Sequence, residues 1–168
     1  MNSWDKDEHV KEVYARFGLS MYFAQVLEHG IVNAFIFLEL IPKTNCKWKP
    51  GEFDSYLNGE FDKTLGQLIC KLRSLTNINN DLETLLRSAL ERRNWLAHHY
   101  FRERASEFMS TSGRDSMIQE LQQCQKLFKQ ADEELETIIT PLRVKFGITD
   151  AKIEEFLIAM KKSAGADI

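Results

Sequence analysis

The sequence holds little of what interrupts helices. Three prolines and eight glycines in 168 residues leave long, unbroken helices open to the chain. Cysteine is scarce as well. Cys46, Cys70 and Cys124 stand far apart and form no C-x-x-C pair. That spacing argues against a cysteine-based zinc site and against a disulfide framework. An odd number leaves at least one thiol unpaired, and the three are expected as reduced thiols packed in apolar surroundings. No segment alternates with period two, so no strand is signalled. Internal repeats and low-complexity linkers are missing too. The formal net charge of -3 lacks the basic excess of a protein that binds nucleic acid over its whole surface. Any such binding must be local.

Long hydrophobic runs are also missing. The first residues, MNSWDKDEHVKEVYARF, are charged and have no apolar core of the signal-peptide kind. The most apolar stretch, Ile31 to Leu40, falls short of the roughly 20 residues a membrane span needs. The expectation is a cytoplasmic protein without membrane contact.

What is present describes a globular helical chain. A hydrophobic fraction of 43% and a charged fraction of 28% are ordinary for such proteins. The length suits one domain, residues 1–168, with a core at about 20–140. Apolar residues at helical spacing predict helices over 5–17 and 20–41, the second stopped by Pro42. A loop carrying Lys43, Lys47 and Lys49 follows, then helical pieces at 52–58 and 60–75. Asn80 or Asp81 is the expected cap of a long helix over 81–108. A loop at 110–116 leads to a helix over 115–140 that Pro141 bends or restarts. An additional C-terminal helix, 149–162, has Thr149 as its cap and Ile153, Phe156, Leu157 and Met160 on one face. The prediction is an all-α, up-and-down helical bundle with additional short helices.

One segment does not fit a plain amphipathic pattern: RRNWLAHHYF, residues 92–101. At about 100° per residue, positions 82, 86, 89, 93, 96 and 100 share one stripe. Five are Leu82, Leu86, Ala89, Leu96 and Tyr100; the sixth is Arg93. A guanidinium in an apolar series needs a partner or an interface. His98 lies five residues on, about 140° around the helix, and aligns instead with Asn94. A single straight helix therefore does not join Arg93 to His98. A second copy facing the first would, and so would a bend. Five arginines, Arg87, Arg92, Arg93, Arg102 and Arg104, stand against Glu91 and Glu103 here, so positive charge is focused. Arginine offers a planar fork to phosphate oxygens, and histidine moves protons near neutral pH. No carboxylate cluster suggests a metal. Metal-free RNA cleavage through the 2′-hydroxyl fits this set better than DNA cleavage.

RNWLAHHY resembles the signature of HEPN domains, an arginine, usually a polar neighbour, and a histidine after four to six intervening positions. Arg93, Asn94 and His98 match it, and Tyr100 matches the extended form R-x-x-x-x-H-x-Y. The resemblance implies an all-α, commonly dimeric, metal-independent endoribonuclease, often a toxin or a defence nuclease, with its active site at a homodimer interface. It implies Arg93 and His98 as catalytic residues, with Asn94, Tyr100 and His99 positioning the substrate. Arg92, Arg102 and Arg104 would contact RNA. No metal or cofactor is expected. The partners expected are a second copy, an RNA substrate and an antitoxin or regulatory protein. The doubled histidine leaves open whether His98 or His99 acts. A non-catalytic helical RNA- or protein-binding module is the alternative, with the polar cluster as an interface lock. An effector-sensing subunit is a third.

Overall fold

A computed structural model describes residues 3–165. The described residues are all-α, as the sequence predicts: a helical bundle with additional short helices. Helix α1 is Ser3–Phe35 and continues through a π-helical turn, Ile36–Leu40, into α2, Ile41–Thr44. After a loop come α3 (Glu52–Phe61), α4 (Leu65–Leu75) and α5 (Asn80–His98). Two single turns, α6 (Tyr100–Glu103) and α7 (Ala105–Phe108), lead into α8 (Thr111–Lys145) and then α9 (Asp150–Ser163).

Of the four principal helices, α1, α4 and α8 run in one sense and α5 runs against them. Helices α1 and α8 run in the same sense, for His9 meets Asp115 and Ser20 meets Leu121. Helix α5 runs against both: Arg93 meets Glu28 while Tyr100 stacks on Phe17, and Asn79 reaches Glu134 while Tyr100 reaches Met117. Helix α4 is antiparallel to α5, with Arg73 against Glu83 and Gly66 against Leu90. One continuous core results, including Leu27, Ile31 and Phe35 of α1, Leu68 and Leu72 of α4, Leu82 and Leu86 of α5, and Leu121, Phe128 and Leu135 of α8. Polar groups also cross it. The Ser20 hydroxyl donates to the Leu121 carbonyl at 3.1 Å, and Gln125 Nε2 donates to the Arg16 carbonyl at 3.0 Å.

Local chemistry explains the boundaries. Asn79, Ser110 and Thr149 each accept a backbone N–H in the first turn of α5, α8 and α9. Thr64 and Gln67 form a reciprocal capping box at α4. Such caps satisfy donors that have no partner within the helix.

Several boundaries differ from the prediction. The expected break between 17 and 20 does not occur: α1 passes straight through Gly18. Pro42 does not stop the first helix. Its ring would crowd the Leu38 carbonyl in a regular helix; instead the backbone widens into the π turn, with Ile41 N–H donating to the Ile36 carbonyl. Lys43 is helical rather than in a loop, and the helix ends where Asn45 turns left-handed at φ 51°. Asn79, not Asn80 or Asp81, caps α5. The predicted 81–108 helix is broken at His99 and Arg104. The predicted 110–116 loop is the first turn of α8, which runs through Pro141. A Cβ at Gly113 would lie 2.1 Å from the Glu107 carbonyl oxygen, so only glycine admits this approach. Of the cysteines, Cys124 is buried, but Cys46 and Cys70 are exposed rather than packed.

The apolar character of the first helix is longer than the Ile31–Leu40 run suggests. The helical stretch Glu8–Thr44 contains an 18-residue window of mean hydropathy 1.4, apolar and long enough to cross a membrane by composition alone. Half of that window is buried inside the bundle.

Candidate functional site

The last turns of α5 carry the motif. Leu82, Leu86, Ala89 and Leu96 are buried, and so is Tyr100 beyond the helix end. Arg93 lies on the same stripe, and its partner is Glu28 of α1: Arg93 Nε donates to Glu28 Oε1 at 3.2 Å. Both side chains are largely shielded, at 28% and 19% exposure. Arg93 Nη1 donates to Asn94 Oδ1 at 3.3 Å. The guanidinium therefore bridges the α1 carboxylate and the neighbouring amide.

Helix α5 ends at His98, and His99 (φ -129°, ψ -25°) breaks the regular path. The bonding continues across the break, His99 N–H to the Trp95 carbonyl and Arg104 N–H to the Tyr100 carbonyl. The chain bends without losing its ladder. Tyr100 turns into the core, where its hydroxyl donates to the Met117 carbonyl at 3.2 Å. Burial, with the Glu120 charge added, pushes the Tyr100 phenol well above its ordinary range. Its ring stacks on Phe17 and meets Trp95 edge-on. Tyr100 thus stands in the core, and its hydroxyl is committed to the backbone of α8.

The other motif residues face solvent. Asn94, His98 and His99 are exposed. Asn94 and His98 are one turn apart on the same side of α5. Arg93 and His98 form no bond with each other among the described residues. His99 Nδ1 instead lies 3.3 Å from Arg102 Nη2. Of the five local arginines, Arg87 pairs with Glu83, Arg93 with Glu28 and Arg104 with Glu120. Among the described residues, Arg92 and Arg102 have no carboxylate partner. Arg92 and Arg104 each lie 5.2 Å from the Trp95 ring, whose Nε1 donates to Glu103. The net positive charge of this end of the bundle thus rests on Arg92 and Arg102, either side of the histidines in sequence. No cluster of three or more His, Cys, Asp or Glu able to hold a metal occurs among the described residues.

Three polar features were not legible in the sequence. Glu28 was one. A second is Arg114, almost fully buried, which donates from Nη1 to the Phe108 carbonyl at 2.8 Å. The third surrounds the π turn. Glu39, projected from that turn, accepts from Tyr56 at 2.8 Å and pairs with Lys71 at 2.5 Å. Lys71 also pairs with the buried Glu60 at 2.7 Å and lies over the Phe35 ring. Burial alone would raise the Glu39 carboxyl, but hydrogen bonds from Lys43, Lys71 and Tyr56 outweigh it and bring it down to about 2. Glu60 Oε2 has no hydrogen-bond partner. The only sequence signal was a charged residue inside an otherwise apolar run.

No protein-family model, curated protein or solved structure matches this chain. What the chain establishes by itself is its class, an all-α bundle with a bent, polar helix end.

Proposed function

We propose that the protein is a metal-independent endoribonuclease of HEPN type, acting as a toxin or in defence or stress responses, with a composite site formed by two copies. The observation that carries this reading is the division of the motif at the bend. Arg93 is held in place by Glu28 and Asn94, while Asn94 and His98 stand open to solvent one turn apart. Arg93 Nη2 has no protein partner among the described residues, which leaves a donor for a phosphate oxygen. In a facing pair, one His98 takes the 2′-hydroxyl proton as that oxygen attacks the neighbouring phosphorus. The other protonates the departing 5′-oxygen. Arg93 stabilises charge gathering on the phosphoryl oxygens, and Asn94 orients the nucleotide. Tyr100 serves by fixing the bend, and His99 by holding Arg102 beside the strand. Arg92 supplies a second free cation, and Arg104 steadies Trp95.

The test is incubation of the full chain with single-stranded RNA in excess chelator, scoring fragments that end in a 2′,3′-cyclic phosphate. His98→Ala and Arg93→Ala are expected to stop cleavage while helicity is retained. Wild-type cleavage by both variants would end the reading.

A second reading rests on the same ion pair. The commitment of Arg93 to Glu28 also suits a non-catalytic RNA- or protein-binding module, in which the pair locks two helices together. It predicts no cleavage by any form of the chain.

A further inference from the structure

Helix α9 is built like a core helix, yet among the described residues every position of it except the half-buried Ile153 is exposed. Ile153, Phe156, Leu157 and Met160 fall within an arc of roughly 100°. Phe156 is 65% exposed, Leu157 50% and Met160 52%. Among the described residues its bonds to the bundle lie at its start, where Arg143 Nη2 donates to Asp150 at 2.7 Å and Lys152 Nζ to the Gly147 carbonyl at 2.8 Å. Val144 and Ile148, just before it, are exposed as well and extend the apolar surface. Solvated apolar stripes of this kind mark interaction surfaces.

The charges beside the stripe say what covers it. Glu154 and Lys161 lie on the same edge, about 20° apart around the axis and two turns apart along it. Neither has a partner among the described residues. A second α9 laid antiparallel, related by a two-fold axis, brings the same edge of both copies together with the ends reversed. Ile153 then faces Met160, Phe156 faces Leu157, and Glu154 of each copy lies beside Lys161 of the other. A parallel pair would put the two Glu154–Lys161 edges on opposite sides of the seam, where these charges do not meet. The stripe and its edge are thus complementary to themselves in one orientation. We propose that α9 is a self-association helix that joins two copies of this chain as an antiparallel pair. This contact lies at the opposite end of α8 from Tyr100 and His98, roughly 40 Å along the helix from Met117. It stands independently of the nuclease reading.

Sedimentation equilibrium of the full chain tests this. The wild type is expected at twice the chain mass or more in the micromolar range, larger multiples arising where the motif ends pair as well. Leu157→Glu is expected to weaken association at least tenfold with an unchanged melting temperature, because α9 is not packed on the bundle. Glu154→Lys and Lys161→Glu are each expected to weaken association several-fold, and the double exchange to restore it by returning opposite charges to every contact. The proposal is overturned by a monomer at all concentrations up to about 100 μM, by association indifferent to Leu157→Glu, or by a double exchange no better than the single ones. A monomeric Leu157→Glu that melts well below the wild type also overturns it, since the helix would then be packing on its own chain.

Discussion

Arg93 of α5 and Glu28 of α1 form an ion pair at 3.2 Å, inside a stripe whose other members are apolar. The pair lets a guanidinium occupy a core-facing position without being left bare. It is partly shielded, so its contribution exceeds that of a fully exposed pair, at about 1 kcal/mol. Urea denaturation of Glu28→Gln, Arg93→Gln and the double variant should give a coupling energy of that size. Additive losses would show that the two groups do not stabilise each other.

Replacing His98 by alanine should reduce metal-independent RNA cleavage by roughly a hundred- to ten-thousand-fold, the range for loss of a positioned acid or base. His99→Ala should retain most of the activity and show weaker RNA binding, because His99 contacts Arg102. A large rate loss in His99→Ala with a small one in His98→Ala would exchange their roles.

Tyr100→Phe removes one buried hydrogen bond, to the Met117 carbonyl, and keeps the ring contacts. It should cost about 1 kcal/mol of stability. A thermal melt checks this, and an unchanged melting temperature would show the hydroxyl contributes nothing to the bend.

The network at the π turn predicts a dependence on acid. Glu39 titrates at about 2 when folded, against an ordinary 4.5. Its folded-state value is depressed, so its contribution is full above the ordinary value and is lost as pH falls from about 4.5 toward 2. That contribution is about 3 kcal/mol. Glu39→Gln should therefore narrow its stability deficit relative to wild type across this window. Lys71→Met strips one cation from the buried Glu60, which keeps Lys63 at 2.6 Å, and should cost about 1–3 kcal/mol at neutral pH. Parallel acid limbs for wild type and Glu39→Gln would contradict the assignment.

Gly113→Ala places a methyl group 2.1 Å from the Glu107 carbonyl oxygen. The α7–α8 corner must shift to accept it, with an expected loss of at least about 2 kcal/mol. Wild-type stability in this variant would mean that the corner is slack.

The stripe from Leu82 to Tyr100 was legible because burial follows a period that residue identity reveals, and Arg93 was legible as its exception. Its partner was not: Glu28 is 65 positions away, and which turn of α1 faces which turn of α5 depends on how the helices pack. The π turn escaped for a different reason. One extra residue in a helical turn leaves the composition untouched, and Pro42 signalled an end where the backbone widened instead. Cys70 was legible and misread. Leu65, Leu68, Ile69 and Leu72 define the buried side of α4, and that spacing already places Cys70 on the outer side. The apolar stripe of α9 was read correctly as a stripe, but periodicity says only that a face wants cover. It does not say whether the same chain provides it.

The Ser20 and Gln125 bonds have a consequence for how the two longest helices find their alignment. Along α1 and α8 the apolar rungs recur every three or four residues, so a slip of four residues, about 6 Å, would still set one apolar rung against another. The same slip would part the Gln125 amide from the Arg16 carbonyl and the Ser20 hydroxyl, at about 1–3 kcal/mol, while the Ser20 hydroxyl would keep its bond to the Arg16 carbonyl of its own helix. The Gln125 amide thus acts as an index mark on a ruler of apolar rungs. It favours the observed axial setting over its neighbours.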